Sequence, residues 1–199
     1  MCLKHVLKKK CNEAGLDEAG RGCLAGHVFA AAVILPDDYK NKMIKDSKQL
    51  SPKQREILRS EIEKNAISYC VKSVDEITID SINILKSAIL AMHRCVEELD
   101  AKPSHLLVDG NYFLPFKNIA HKTVVKGDGK YMNIAAASIL AKTYRDEWMI
   151  KIDKEFPQYR WAKNKGYGTK EHINALNEFG LTPYHRRSFV VKSIQLSIF

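Results

Sequence analysis

The stretch from Ala14 to Leu35 constrains this chain most, because it sets two adjacent carboxylates between apolar segments that must be buried. Ala14-Gly15-Leu16 leads into Asp17-Glu18, and Ala19-Gly20-Arg21-Gly22 follows. His27-Val28-Phe29-Ala30-Ala31-Ala32-Val33-Ile34-Leu35 is then an apolar, partly β-branched run, ended by Pro36-Asp37-Asp38. Such a run bounded by turn residues predicts a buried strand, and the shorter lead-in predicts another that closes at Leu16. The two are expected to pair as a hairpin through the Gly-Arg-Gly loop. Adjacent acids on a strand point to opposite faces, so at a strand end one can bind a hard divalent cation directly while the other reaches it through a bend, a second cation or water. The glycines let backbone N–H groups approach a ligand without a side chain intervening. Taken alone, the string also fits a surface turn with solvated charges.

The rest of the chain alternates strand and helix signals. Ser51, Pro52 and Gln54 form a capping box that opens a helix with Ile57, Leu58 and Ile62 on its apolar stripe. Ile67 to Val74 reads as a strand, and Ile82, Leu85, Ile89, Met92 and Val96 share one face of a helix. Leu106-Leu107-Val108 and Lys122-Thr123-Val124-Val125 read as further strands. A long helix is expected from Met132 or Asn133 toward Glu155, starting with small residues that allow close packing and stopping near Pro157. Another helix, from Thr169 to Phe179, stops at Gly180.

Length and charge narrow the function classes. The 199 residues suit one domain, with a catalytic core over about 12–156, a helical cap over about 157–190 and a tail over 191–199. No apolar run has signal-peptide or membrane-spanning length, so the expectation is a soluble, cytoplasmic protein that uses no membrane. Five cysteines without a C-x-x-C pair argue against a zinc knuckle and a disulfide framework. The formal charge of +9, with the candidate catalytic groups all acidic, leaves a strongly basic remaining surface suited to a polyanion.

Asp109 ends the strand at Leu106-Val108, and Asp128 follows the strand containing Val124. Three strand ends can thus bring Asp17, Glu18, Asp109 and Asp128 to one edge of a sheet. Ordinary turns at Asp109-Gly110-Asn111 and Gly127-Asp128-Gly129 explain each acid separately but not the set. Carboxylates gathered this way repel and raise one another's pKa unless cations share the site.

In order along the chain, Ala14 to Gly22, Asp46-Ser47-Lys48-Gln49-Leu50-Ser51, Leu107-Val108-Asp109-Gly110, Lys126 to Tyr131 with Ala135 to Lys142, and Asn164-Lys165-Gly166-Tyr167-Gly168-Thr169 resemble the five motifs of type 2 ribonuclease H, the family called ribonuclease HII in bacteria. The resemblance spans nearly the whole chain. It implies an α/β fold, a ribonuclease H-like mixed five-stranded sheet flanked by helices with a C-terminal helical cap. It also implies a monomeric endoribonuclease that hydrolyses the RNA strand of RNA–DNA hybrids and cuts 5′ to single ribonucleotides in duplex DNA, leaving 5′-phosphate and 3′-hydroxyl ends. By residue-wise match, Asp17, Glu18, Asp109 and Asp128 are the catalytic and metal positions for two Mg²⁺ or Mn²⁺ ions. Gly20, Arg21, Gly22 and Tyr167 are the positions that read the 2′-hydroxyl, and Lys48 contacts phosphate.

Asp146 also matches a family position, although well along a helix it equally suits an ion pair with Arg145 or a lysine. Ser138 and Lys142 share one helix face as secondary candidates, while Ala135 to Ala137 read as packing against the sheet. His185, beside Arg186 and Arg187, reads as part of a basic DNA-facing patch or as a helix cap. Gly129 departs from the alanine common in the family motif and gives Asp128 extra freedom. The last residues, Gln195-Leu196-Ser197-Ile198-Phe199, resemble the pentapeptide that binds the bacterial sliding clamp, with Gln195, Leu196 and Phe199 as contacts; a tail folded onto its own core is the alternative. Two rival functions remain, a junction resolvase indifferent to the 2′-hydroxyl and a non-catalytic hybrid-binding protein.

Overall fold

The computed structural model describes residues 3–4, 7, 12–44 and 50–189. Lys48 and the tail residues Gln195, Leu196 and Phe199 lie outside them. Five strands, β1 (Glu13–Ala19), β2 (Val28–Ile34), β3 (Ser68–Val74), β4 (His105–Asp109) and β5 (Ala120–Val124), form one sheet in the order β3-β2-β1-β4-β5. β1 lies antiparallel to β2 and parallel to β4, and β4 is parallel to β5, which makes the sheet mixed, as expected. β2 is buried along its whole length, consistent with its continuous apolar run.

The helices are α1 (Pro52–Asn65), α2 (Glu76–Ile82), α3 (Ile84–Glu97), α4 (Met132–Asp153), α5 (Trp161–Asn164) and α6 (Lys170–Phe179). Alternation along the strands splits the core in two. Ala14, Leu16, Ala30, Ala32, Leu106 and Val108 pack toward α3 through Ala88, Met92 and Val96, whereas Ala31 and Val33 pack toward α1 and α4. Gly15 belongs to the second face. A Cβ there would stand 2.2 Å from the Asn133 carbonyl carbon, so only glycine lets α4 lie this close. Asn133 Nδ2 donates to Glu13 O at 2.7 Å and fixes the register of the contact.

Several expectations need correction. β1 continues through Ala19 instead of closing at Leu16, so Asp17 and Glu18 are strand residues. Ile57 is 52% exposed, while Arg55, Leu58 and Ile62 are the residues α1 buries against its neighbours. Ile67 and Val125 lie just outside β3 and β5 and are exposed. The helix expected through Ile82 breaks at Asn83, whose φ of 70° ends α2 and whose side chain caps α3 by accepting from Lys86 N–H.

After α4 the chain folds over that helix's end, where Trp161, Tyr159, Ala175 and Leu176 pack with Met149 and Ile152. His185 is buried in this cap, not on a DNA-facing patch. Its Nδ1 accepts from Thr182 N–H at 2.9 Å, which puts the proton on Nε2, within 3.0 Å of His172 Nε2. Trp161 Nε1 also donates to His172 Nε2, at 3.1 Å, so His172 carries its proton on Nδ1 and donates to Tyr167 O at 2.9 Å. All groups are satisfied with both rings neutral.

Two predictions follow from this packing. Gly15→Ala should cost about 3 kcal/mol or more through overpacking against the α4 backbone, read as a thermal midpoint lowered by about 10 °C. Burial lowers the pKa of His172 and takes that of His185 down to about 3. The unfolded chain takes up these protons below about pH 6.5, so stability should be complete above that value and fall as the pH drops toward 3. The slope is about 1.4 kcal/mol per pH unit per histidine, and in midpoint measurements His185→Gln should remove one histidine's share.

Candidate active site

Leu16 pairs with Val108, which brings Asp17 and Asp109 to the same level on adjacent parallel strands. Asp109 in turn pairs with Val124, and the short 3₁₀ turn Gly127–Gly129 carries Asp128 just beyond that strand end. The turn is tied to β4, since Gly127 N–H donates to Asp109 Oδ1 at 2.6 Å. Asp128 is buried and accepts from Gly129 N–H at 3.0 Å, so Gly129 helps hold the carboxylate despite its missing side chain.

Asp17, Glu18, Gly20, Arg21, Gly22, Asp109, Ser138, Lys142 and Tyr167 line a cleft of about 220 Å³. Asp128, expected with the other three acids, is not among the residues that line it. Asp17 is only 6% exposed. Burial pushes its pKa well up, Glu18 and Asp109 push it further, and the Ser138 hydroxyl and Glu18 N–H, the latter at 2.7 Å, oppose the rise. Arg21 Nη1 meets Glu18 Oε1 at 3.0 Å, a partial counter-charge that leaves Asp17 and Asp109 in mutual repulsion.

This donor set suits a hard divalent cation. Its candidate ligand atoms are carboxylate oxygens, and a cation among them would relieve the repulsion of Asp17 by Glu18 and Asp109. Among the described residues, no three His, Cys, Asp or Glu side chains are grouped so as to hold a metal ion by themselves. Mg²⁺ commonly binds through one or two carboxylates, with water and substrate phosphate completing its coordination.

Asp146 is drawn away from the acids: Lys142 Nζ lies 2.6 Å from its Oδ1 and Arg55 Nη2 3.3 Å from its Oδ2. Of the alternatives for its partner, the structure has the lysine and not Arg145. Asp146 thereby orients Lys142 along the cleft. Tyr167, 44% exposed, faces the acids from a loop locked by Asn164, whose Oδ1 accepts from Gly166 N–H at 2.8 Å. Gly166 has a φ of +79°, and its O accepts from Leu24 N–H at 2.8 Å, which joins the tyrosine loop to the Gly-Arg-Gly loop. Burial raises the Tyr167 pKa, so its hydroxyl stays protonated and able to donate.

Two residues absent from the motif reading hold this geometry together. Arg145, fully buried, donates to His27 O, Lys165 O and Ala25 O at 3.0, 2.8 and 3.1 Å. It also fills the space a Cβ on Gly20 would take, 2.0 Å from its Nε. A signal for it was present, since an arginine interrupts the buried Ala141, Met149 and Ile152 face of α4. Arg186, also buried, donates to the carbonyls of Arg21, Cys23 and Gly26. Nothing in its sequence context separates it from its neighbour Arg187.

Comparison with known proteins places this arrangement. The sequence model of the family described as ribonuclease HII matches residues 14–192. The ribonuclease HII of Parabacteroides distasonis is 59% identical over 186 residues, covering 94% of both chains. That of Bacteroides thetaiotaomicron is 59% identical over 187 residues, again with 94% of each chain covered. Among solved structures, ribonuclease H2 of Pyrococcus horikoshii superposes with a TM-score of 0.75 at 27% identity, over 89% of this chain and 93% of that one. The ribonuclease HII of Archaeoglobus fulgidus, solved in complex with PCNA, gives 0.74 at 26% identity, over 92% and 98%. With the mixed sheet and the carboxylate cleft at its strand ends, these matches establish that the chain belongs to the ribonuclease HII family and is a metal-dependent endoribonuclease with ribonuclease H activity on RNA–DNA hybrids.

Proposed function

We propose that the enzyme cuts at the 5′ side of single ribonucleotides embedded in duplex DNA, as well as within RNA–DNA hybrids, and so initiates ribonucleotide removal and helps clear primers. The observation that carries this reading is one cleft lined by both Asp17, Glu18 and Asp109 and by Gly20, Arg21, Gly22 and Tyr167. The first set suits hydrolysis of a phosphodiester. The second suits recognition of the one sugar group that separates RNA from DNA. In this reading the enzyme is a cytoplasmic monomer.

Asp17, Glu18, Asp109 and Asp128 are the residues proposed to hold two Mg²⁺ or Mn²⁺ ions. When bound, the ions supply activation of the attacking water and charge stabilisation at the leaving 3′ oxygen. Water adds to phosphorus, the P–O3′ bond breaks, the phosphate stays on the ribonucleotide and the upstream strand ends in a 3′-hydroxyl. The chain's own groups do the positioning. Ser138 holds the Asp17 carboxylate, and Lys142, kept in place by Asp146, offers a cation to the phosphate track. Backbone N–H groups of the glycine loop approach the ribose, and the protonated Tyr167 hydroxyl stands opposite them with its ring available to stack on the neighbouring sugar.

The test is cleavage of three duplexes, carrying one ribonucleotide, no ribonucleotide or a uniform RNA strand, with Mg²⁺, Mn²⁺ or chelator. The expected result is a metal-dependent cut 5′ to the lone ribonucleotide and an intact all-DNA duplex. Cutting of the uniform hybrid alone would remove the 2′-hydroxyl role given to the glycine loop and Tyr167, and cutting of all-DNA duplex would favour a junction-resolvase type of specificity. Asp17→Asn should lower the rate at least a thousandfold, keep duplex binding, and melt at or above the wild-type temperature because a buried, repelled charge is gone.

A second partner is favoured by the Archaeoglobus fulgidus relative, which was solved bound to PCNA. We propose that Gln195, Leu196 and Phe199 dock on a sliding clamp, the apolar pair in a pocket and the glutamine at its rim. Deleting residues 195–199 should weaken binding to a purified bacterial clamp at least tenfold and leave cleavage of short duplexes unchanged. Undiminished binding would exclude the tail.

A further inference from the structure

Arg186 makes several hydrogen bonds to the glycine loop, yet it is not among the residues that line the cleft. Its Nη1 donates to Arg21 O at 3.1 Å and to Cys23 O at 2.9 Å, while Nε and Nη2 donate to Gly26 O at 2.9 and 2.6 Å. Its backbone N–H donates to Leu24 O at 2.9 Å, and Gly26 N–H donates to Tyr184 O at 2.8 Å, so the segment lies along the back of the loop. Asp80 on α2 anchors the same segment from outside, accepting from Arg187 N–H, Ser188 N–H and the Ser188 hydroxyl. The guanidinium is 2% exposed, with Glu76 and Asp80 as nearby negative charges and its planar face 5.1 Å from the Phe189 ring.

The direction of these carbonyls has a chemical consequence. In a planar trans peptide, the C=O of one residue and the N–H of the next point in opposite directions. Turning the Arg21 carbonyl inward onto Arg186 therefore turns the Gly22 N–H outward, to the side where Gly22 lines the cleft. A guanidinium is suited to the task because its rigid fork holds several carbonyls at fixed angles, which one ammonium cannot do.

We infer that Arg186 is the positioning residue for 2′-hydroxyl recognition, holding the loop so that the Gly22 amide faces the ribose. The inference rests on the reading of the glycine loop as the ribose sensor, and it adds a residue that does not itself line the cleft. It also gives the C-terminal cap a role beyond covering α4, since the cap carries the residue that shapes the loop on β1.

The test is Arg186→Lys, which keeps the charge and loses the fork, compared with Asp80→Asn, which loosens the same segment without touching a loop carbonyl. For Arg186→Lys, KM for the single-ribonucleotide duplex should rise at least tenfold with kcat within threefold, and amide exchange at Leu24 and Gly26 should quicken at least tenfold while β1 stays protected. Asp80→Asn should lower the thermal midpoint and leave KM unchanged. A KM for Arg186→Lys that stays at the wild-type value, or that moves only as it does in Asp80→Asn, would overturn the inference. If wild-type enzyme shows no dependence on the 2′-hydroxyl, the ribose-sensor reading fails, and the exchange rates still report whether Arg186 holds the loop. A wild-type measurement needs no variant: in chelator, the single-ribonucleotide duplex should slow exchange of the Arg186 guanidinium protons more than an all-DNA duplex does, and equal slowing would count against the role.

Discussion

The close approach of α4 to β1 at Gly15 is the contact on which the rest of the molecule depends. With a Cβ excluded at that point, α4 meets the sheet through Asn133 and the buried alanines 135–137. Because a helix repeats about every 3.6 residues, the same face then presents Ser138, Lys142 and Arg145 in successive turns. Ser138 reaches Asp17, Lys142 lines the cleft, and Arg145 arrives beneath Gly20. One tight interface thus sets the depth of the helix against the sheet, and three side chains of the site inherit their positions from it.

The site itself is electrostatically unfavourable without added charge. Asp17 is buried beside Glu18 and Asp109, and Arg21 pairs with Glu18 alone of the three. Fold stability is spent here for function, the usual direction of compromise at catalytic centres. The cost stays local because Asp17 and Glu18 remain paired with β2 and Asp109 with β5, and because the turn bearing Asp128 is bonded to the Asp109 side chain. A cation requirement follows from the same arrangement, in which carboxylate repulsion is a preformed attraction for a hard ion.

Opposite the acids, the wall of the cleft is shaped by backbone held from behind. The loop from Arg21 to His27 has its carbonyls gathered by two buried arginines, Arg145 from the sheet side and Arg186 from the cap. The tyrosine loop is tied to it through Gly166, and the neutral His172–His185 pair supports the Tyr167 carbonyl from below. Buried polar networks of this kind rigidify when every donor and acceptor is matched. The cap therefore holds part of the wall of a cleft whose acids lie on β1 and β4.

Much of this was legible in the chain. The continuous apolar run at 27–35, the capping box at Ser51 and the small residues opening α4 identify their elements because each reflects local physics: burial on both faces, satisfied helix N–H groups, permitted close packing. The meeting of Asp17, Glu18 and Asp109 was legible because they stand at strand signals, whereas Asp128, expected with them, is not on the cleft lining. The break at Asn83, the exposure of Ile57 and the burial of His185 were not, since each depends on which neighbour a side chain meets after the sheet closes. The same holds for Asp146, whose partner is chosen among several cations by the spacing of α1 and α4. By itself the sequence determined the five strands, the long helices and the acids that follow them, because periodicity and residue chemistry are local. Only the tertiary structure decided that Arg145 and Arg186 hold the loop from Arg21 to His27, because an arginine's role is set by the carbonyls within reach of its guanidinium, and those lie as many as 165 residues away along the chain.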